Sequence, residues 1–271
     1  MPDAATGLGA GEMTVIGRVS TASNVTLVCD LIDPGITAAD TDTEPLRVVY
    51  KPVRGEQPLW DFPDGTLAGR EVASYLISEA LGWGVIPETV LRDGPFGPGM
   101  VQRWVDTVDH RADRLALVDL CPAGTVPDGF CEVLRAVDPD GHEVSLVHAD
   151  DPRLQRMAVL DVLLNNADRK GGHALEGADG GVYGVDHGIC LHSEPKLRTV
   201  LWGWAGRPVD DGLLADIAAF TDRLPGAPAD ALSRHITDVE IDAVLARAKR
   251  LLDEAVMPLP TTARPIPWPA F

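Results

Sequence analysis

The sequence predicts an α+β protein of two lobes facing a cleft, on three observations. Segments rich in Val, Thr and Ile crowd the first hundred residues and read as strands. Helical periodicity dominates beyond residue 150. Between the later elements an apolar helix runs into Asp168-Arg169, and Asp186 follows a short hairpin later at a strand end. A β-rich half followed by an α-rich half packs as α+β, with a cleft where the halves meet.

Residues 1–11 read as a disordered start. Segments 13–19 and 25–31 are two strands around the polar turn Ser20-Thr21-Ala22-Ser23-Asn24. Residues 33–45 form a polar loop, and 46–51 a third strand closed by Pro52. A Pro/Gly-rich connection over 53–66 leads to a helix at Leu67–Leu81. Its apolar Val72, Tyr75 and Leu76 fall at helical spacing and Gly82 stops it. Strands over 85–91 and 99–105 flank a Gly/Pro turn at 94–99. Residues 12–105 thus form the β-rich first lobe, a sheet with one helix, and 106–271 the α-rich second lobe.

Segment 106–150 has acidic and Pro-rich stretches and no assigned element. A helix over 154–165 buries Leu154, Met157, Ala158, Leu160, Val162, Leu163 and Leu164. Short strands near 173–176 and 182–186 join at the turn Ala178-Asp179-Gly180-Gly181. Helices follow over 211–224 and 237–256, and Trp202 and Trp204 are expected in the core. The Pro-rich stretch 257–271 is extended, either packed across the surface or mobile. No internal repeat is visible.

Composition narrows the function. The chain of 271 residues, 45% hydrophobic and 24% charged, can bury a sizeable core. Its net charge of −18 repels nucleic acid and anionic membranes unless basic residues gather locally. The four cysteines, Cys29, Cys121, Cys131 and Cys190, form no CxxC pair, which speaks against a zinc site. There is no basic-then-apolar leader and no apolar run long enough to span a bilayer. The expectation is a cytoplasmic protein with reduced thiols, no nucleic-acid partner and no integral membrane association.

Several residues suit chemistry on a metal-bound phosphate. The third strand alternates and closes on Lys51, which places an ammonium at a sheet edge facing the cleft, where a nucleotide-phosphate site needs a point charge. A solvated strand-end Lys has the same signature. Glu71, early in the following helix, could hold that ammonium, or could simply favour the helix dipole. The turn Ser20, Thr21, Ser23 and Asn24 offers N–H groups and hydroxyls to phosphates, as an ordinary hairpin loop also would. Asp168, leaving a helix into a Gly-rich turn, is placed to accept a proton from a substrate hydroxyl. His173 falls where an oxygen ligand for Mg²⁺ is expected. Asp186, before His187-Gly188, can bridge divalent cations to phosphates. Asp168 and Asp186 together favour function over turn chemistry.

The segments VYKPVRGEQP (49–58), GREVASYLISEALGWGVIPETV (69–90), NNADRKGGH (165–173) and GVDHG (184–188) resemble the phosphatidylinositol 3-/4-kinase superfamily. They resemble especially its type II phosphatidylinositol 4-kinase branch and the small actinobacterial proteins related to it. The resemblance spans roughly 13–205. It implies a two-lobed protein-kinase-like fold with ATP and Mg²⁺ (or Mn²⁺) in the cleft. By matching positions it implies that Lys51 binds the α/β-phosphates and that Glu71 pairs with it. Asp168 becomes the catalytic Asp and Asp186 the metal-binding Asp. Turn 20–24 would cover the phosphates, and adenine would meet a hinge near Gln102-Arg103-Trp104-Val105. The departure is His173, where that family has Asn; Asn165 and Asn166 lie at the wrong offset to replace it. The segment after Asp186 holds Lys196 and Arg198 but little else that is basic.

The expected function is therefore an ATP- and divalent-metal-dependent kinase that moves the γ-phosphate to a hydroxyl acceptor, lipid, protein or small molecule. The alternatives are a catalytically impaired nucleotide-binding pseudokinase or scaffold, and a kinase-fold AMP transferase.

Overall fold

Alternation along two consecutive strands builds one apolar sheet face and leaves the other face free for a site. The computed structural model describes residues 7–20, 22, 24–32, 44–108 and 115–271. Strands β1 (Glu12–Arg18), β2 (Leu27–Ile32), β3 (Leu46–Pro52), β4 (Thr89–Gly94) and β5 (Gly97–Arg103) form an antiparallel sheet in the order β1-β2-β3-β5-β4. Leu27, Cys29 and Leu31 of β2, with Val48 and Tyr50 of β3, bury one face together with Val101. Period-two pleating sends Val49 and Lys51 to the opposite face, where both line a cleft. The Tyr50 ring lies so close to β5 that a Cβ at Gly99 would come within 2.5 Å of it.

Helix α1 (Leu67–Leu81) follows β3, and its N-terminus is fully dressed. Thr66 caps the Gly69 N–H at 2.9 Å, and the Glu56 carboxylate accepts the Leu67 and Ala68 N–H groups at 3.0 and 2.8 Å. Gly82, in the left-handed region at φ 72°, ends the helix. The helix is buried between the sheet and the later helices, so Arg70 and Glu71 carry charge into the interior and both find partners there.

Segment 106–150, unassigned from sequence, contains β6 (Val118–Pro122), β7 (Phe130–Val137) and β8 (Glu143–Ala149), an antiparallel sheet in the order β6-β8-β7. Helix α2 (Pro152–Leu164), the hairpin β9 (Ala174–Glu176) and β10 (Val182–Gly184), and helices α3 (Asp211–Arg223), α4 (Ala227–Leu232) and α5 (Asp238–Glu254) complete the second half. A Thr237/Glu240 capping box opens α5, and Glu240 also meets Arg70 at 2.6 Å, which ties α5 to α1. The larger core joins α1, α2, α3 and α5 with Trp204, as expected of that tryptophan. The architecture is the two-lobed α+β one that the sequence predicts.

Three local expectations need correction, and one open alternative is resolved. Residues 7–11 are not loose, because Leu8 is buried in the sheet's core. The strand placed at 85–91 begins at Thr89. Before it, the Val85 and Ile86 N–H groups turn to the Ser78 hydroxyl, and their side chains enter the core. The strand placed at 99–105 spans Gly97–Arg103. The stretch 257–271 is packed, with Met257 buried, Ile266 and Ala270 on the core, and the Pro265 carbonyl accepting Thr199 N–H and Trp202 Nε1–H.

Candidate active site

A cleft of about 570 Å³ lies between the sheet and the second half, and it gathers most of the residues singled out from sequence. Lys51 enters it from β3 with its Nζ between two carboxylates, 2.7 Å from Glu71 Oε1 and 2.8 Å from Asp186 Oδ1. Strand β3, helix α1 and the loop after β10 thus meet at one ammonium. Burial alone would lower the Lys51 pKa, but Asp186 and Glu71 outweigh it and hold Lys51 above its ordinary value. Burial pushes Glu71 up against the pull of Lys51. Its second oxygen accepts the His187 N–H at 2.8 Å, so both carboxylate oxygens are occupied.

Asp186 sits in the left-handed region at φ 61°, a conformation that Asp tolerates better than most residues. This turns its carboxylate into the cleft, where the side chain is 47% exposed. Burial would raise its pKa, yet the Lys51 ammonium holds it well below the usual carboxylate range. His173 faces it, with Nε2 3.6 Å from Asp186 Oδ2. Nδ1 of His173 lies 2.9 Å from the Asp168 carbonyl, so that nitrogen carries the proton and Nε2 offers a lone pair to the cleft. Burial lowers the His173 pKa to about 4, which keeps the ring neutral. A neutral imidazole beside an ionised carboxylate fits a divalent cation, and the Nδ1 hydrogen bond is the orienting contact that metal-binding histidines use.

Asp168 leaves α2 through Asn165, whose left-handed φ of 52° ends the helix, and Asn166. The Asn166 Oδ1 accepts the Asp168 N–H at 2.9 Å, and its Nδ2 donates to Asp161. Asn165 holds the later segment through the His192 and Glu194 carbonyls and the Lys196 N–H. The two asparagines therefore brace loops and do not face the cleft as ligands. Asp168 lines the cleft, and its Oδ2 lies 3.3 Å from Lys170 Nζ. Burial raises its pKa, Lys170 opposes this and Asp186 adds to it, for a net rise. A raised carboxylate in a cleft is better matched to taking a proton near neutral pH.

The remaining expected residues divide. Gln102 is buried at the back of the cleft, its Nε2 donating to Thr89 Oγ1 at 2.9 Å. Trp104 and Val105 line the edge where the chain leaves β5, with Trp104 N–H still bonded to the Arg47 carbonyl. Asn24 reaches the cleft roof, but its side-chain oxygen accepts the Gln57 N–H and braces two loops instead of pointing free at a ligand. Ser20 is exposed, while Val19, Ala22, Val25 and Thr26 roof the cleft. Thr21 and Ser23 lie outside the described residues.

Sequence reasoning missed the strut behind the site. Arg169 is fully buried and binds Asp161 of α2 at 2.9 Å, the His173 carbonyl at 3.0 Å, the Val185 carbonyl at 3.2 Å and His187 Nε2 at 2.6 Å. Burial and the Arg169 charge push His187 well below its ordinary pKa, so it accepts from the guanidinium as a neutral ring. The signal was present as an Asp inside an apolar helix and as Arg and His one residue beyond each cleft Asp. Asp138, Asp140 and His142 also converge, at the exposed β7–β8 turn. There Asp138 Oδ1 accepts the Asp140 and His142 N–H groups, which is turn chemistry. A second cavity of about 660 Å³ lies past Trp104 and Val105, lined by Tyr75, Glu79 and Tyr183 and holding neither cleft Asp.

No family model matches the chain. Among solved structures it is similar to the Helicobacter pylori proinflammatory kinase CtkA, with a TM-score of 0.46 and 11% identity over 91% of this chain and 93% of that one. It is also similar to a chain of the Shewanella oneidensis MR-1 toxin antitoxin complex of HipA, HipB and operator DNA. That TM-score is 0.39, with 13% identity over 88% of this chain and 65% of that one. In sequence it is 56% identical over 271 residues to Protein Rv2133c of Mycobacterium tuberculosis, covering 97% of this chain and 94% of that protein. At that identity and coverage, the chain belongs to the family of Protein Rv2133c.

Proposed function

We propose that the protein is a kinase-like phosphotransferase that moves the γ-phosphate of ATP to a hydroxyl acceptor with Mg²⁺ or Mn²⁺, on a scaffold akin to the phosphatidylinositol 3-/4-kinases. In this reading 12–105 is the nucleotide-covering lobe and 106–271 carries the catalytic loop. The observation that carries the reading is the Lys51 ammonium, held between Glu71 and Asp186 in a cleft that Asp168 also lines.

Lys51 binds phosphate oxygens and is kept cationic and aimed by Glu71. Asp186 and the Nε2 of His173 hold the divalent cation, which when bound neutralises phosphate charge. Trp104 and Val105 border the base. The acceptor oxygen attacks the γ-phosphorus, the bond to the β–γ bridging oxygen breaks, and ADP leaves. The acceptor proton passes to the Asp168 carboxylate. Lys170, beside Asp168, adds a cation near the transferred group. Among the described residues no helix is long and apolar enough to cross a membrane.

The test is incubation with γ-labelled ATP and either metal, scoring label on protein, on extracted lipid and in free phosphate. Wild type is expected to release label from ATP, and Asp168→Ala to lose turnover while keeping nucleotide binding. Retained turnover in Asp168→Ala sinks the assignment. Binding with no turnover in either protein supports the nucleotide-binding scaffold, and label on protein in a parallel incubation with α-labelled ATP, with none from γ-labelled ATP, points to AMP transfer.

A further inference from the structure

Segment 257–271 reaches the loop after Asp168, and its Phe271 lines the cleft. Its backbone is fixed at two places. The Pro265 carbonyl accepts Thr199 N–H at 3.0 Å and Trp202 Nε1–H at 2.9 Å, and the Ala270 carbonyl accepts Gly171 N–H at 2.8 Å. Ile266 and Ala270 pack on the main core between and beside these anchors. Phe271 then lays its ring on Gly171, three residues after Asp168, and lines the same cleft as Asp168, Lys170 and His173.

Gly171 carries the mark of this docking. A Cβ there would lie 2.4 Å from Phe271 Cε1 and 2.6 Å from Cδ1. Its backbone is not in the left-handed region, so no turn demands glycine at this place. The ring's close approach demands it. Phe271 is 49% exposed, with Cδ1, Cε1 and Cζ of its ring against Gly171, and it lines the cleft.

We propose that Phe271 is the acceptor-side wall of the cleft and a specificity-determining residue, keeping water off the site of transfer. This rests on the phosphotransferase reading. An enzyme that moves phosphate to a hydroxyl other than water must disfavour water as acceptor, and an apolar ring beside the proton-accepting carboxylate does so. In the suppressed reaction a water oxygen attacks the γ-phosphorus and the bond to the β–γ bridging oxygen breaks. The water proton goes to Asp168, leaving ADP and inorganic phosphate.

The experiment compares wild type, Phe271→Ala, Gly171→Ala and the double variant, each as the full chain and checked for folding by thermal melting. ADP release from ATP with Mg²⁺, and no added acceptor, is measured beside ADP affinity and hydrogen exchange across 168–173. Either single variant is expected to raise hydrolysis several-fold and loosen exchange in the loop, with ADP affinity unchanged. Because Gly171→Ala acts by displacing the ring, it should add nothing in the Phe271→Ala background. Hydrolysis and exchange at the wild-type level in Phe271→Ala, or additive effects in the double variant, overturn the wall and leave the phosphotransferase reading standing. Absence of nucleotide binding and hydrolysis in all four proteins sinks that reading, and the wall with it.

Discussion

The cleft and the core behind it are built from the same two dipeptides turned opposite ways. In Asp168-Arg169 and in Asp186-His187 the acidic residue faces the cleft and the basic one enters the interior. The Asp186 side chain is 47% exposed, whereas the Arg169 side chain is fully buried. On the cleft side the charges are mismatched, with Lys51 alone between Glu71 and Asp186, and Asp168 raised by burial. On the core side Arg169 is matched at every turn, by a carboxylate, two carbonyls and a neutral imidazole. The difference teaches how the site tolerates unbalanced charge: a buried hydrogen-bond network centred on Arg169, one residue away, fixes both loops. Arginine suits that role because its planar fork serves several acceptors at once.

The sharpest way to break the comparison is on the cleft side. Asp168→Asn should cut phosphoryl transfer by about 10²–10⁴-fold while leaving nucleotide affinity and melting temperature near wild type. Arg169→Met should do the reverse, lowering stability by about 3–5 kcal/mol in urea titration because Asp161 is left buried and unpaired. Arg169→Lys should recover only part of that loss, since an ammonium cannot reach all four partners. Lys51→Met should weaken nucleotide binding by roughly the worth of one charged hydrogen bond, about 1.5–3 kcal/mol by calorimetry, and slow turnover as well. His173→Asn should leave the fold intact and move metal preference from Mn²⁺ toward Mg²⁺, read by activity against each metal, as an oxygen ligand replaces nitrogen.

The smallest effect concerns pH and a histidine away from the cleft. His148 is buried against Trp204, its Nε2 accepting the Gly203 N–H at 3.0 Å, and burial lowers its pKa from 6.5. The folded chain keeps it neutral while the unfolded chain takes a proton. Its stabilisation is therefore complete above pH 6.5 and is lost as pH falls below that value. The urea midpoint of wild type should drop between pH 7.5 and 5.5, and His148→Gln should show a smaller drop.

Much of the cleft side could be read from sequence because its chemistry is local. A strand carrying Lys51 near its end, a helix bearing Glu71 and a hairpin followed two residues later by Asp186 each carry a pattern in consecutive residues. The core side could not be read the same way. Arg169 finds Asp161 and His187 through tertiary packing, and the one local mark, Asp161 inside an apolar helix, says that a partner is needed without saying which residue supplies it. The β6-β8-β7 sheet was missed for a related reason: β7 is half exposed and buries only Cys131, so it lacks the apolar alternation that marks a strand. The Asp138-Pro139-Asp140-Gly141 turn, with Gly141 at φ 87°, joins β7 to β8. Phe271 was invisible because its partner, Gly171, lies a hundred residues earlier in the chain.

The central claim is that Lys51, Asp186 and His173 together hold a metal-bound nucleotide. Calorimetric titration of a non-hydrolysable ATP analogue, with and without Mg²⁺ or Mn²⁺, tests it most directly in wild type and Asp186→Asn. The account predicts saturable binding that strengthens with metal in wild type, and loss of that metal dependence in Asp186→Asn. Binding that is absent from wild type, or equally strong and equally metal-dependent in Asp186→Asn, would contradict it.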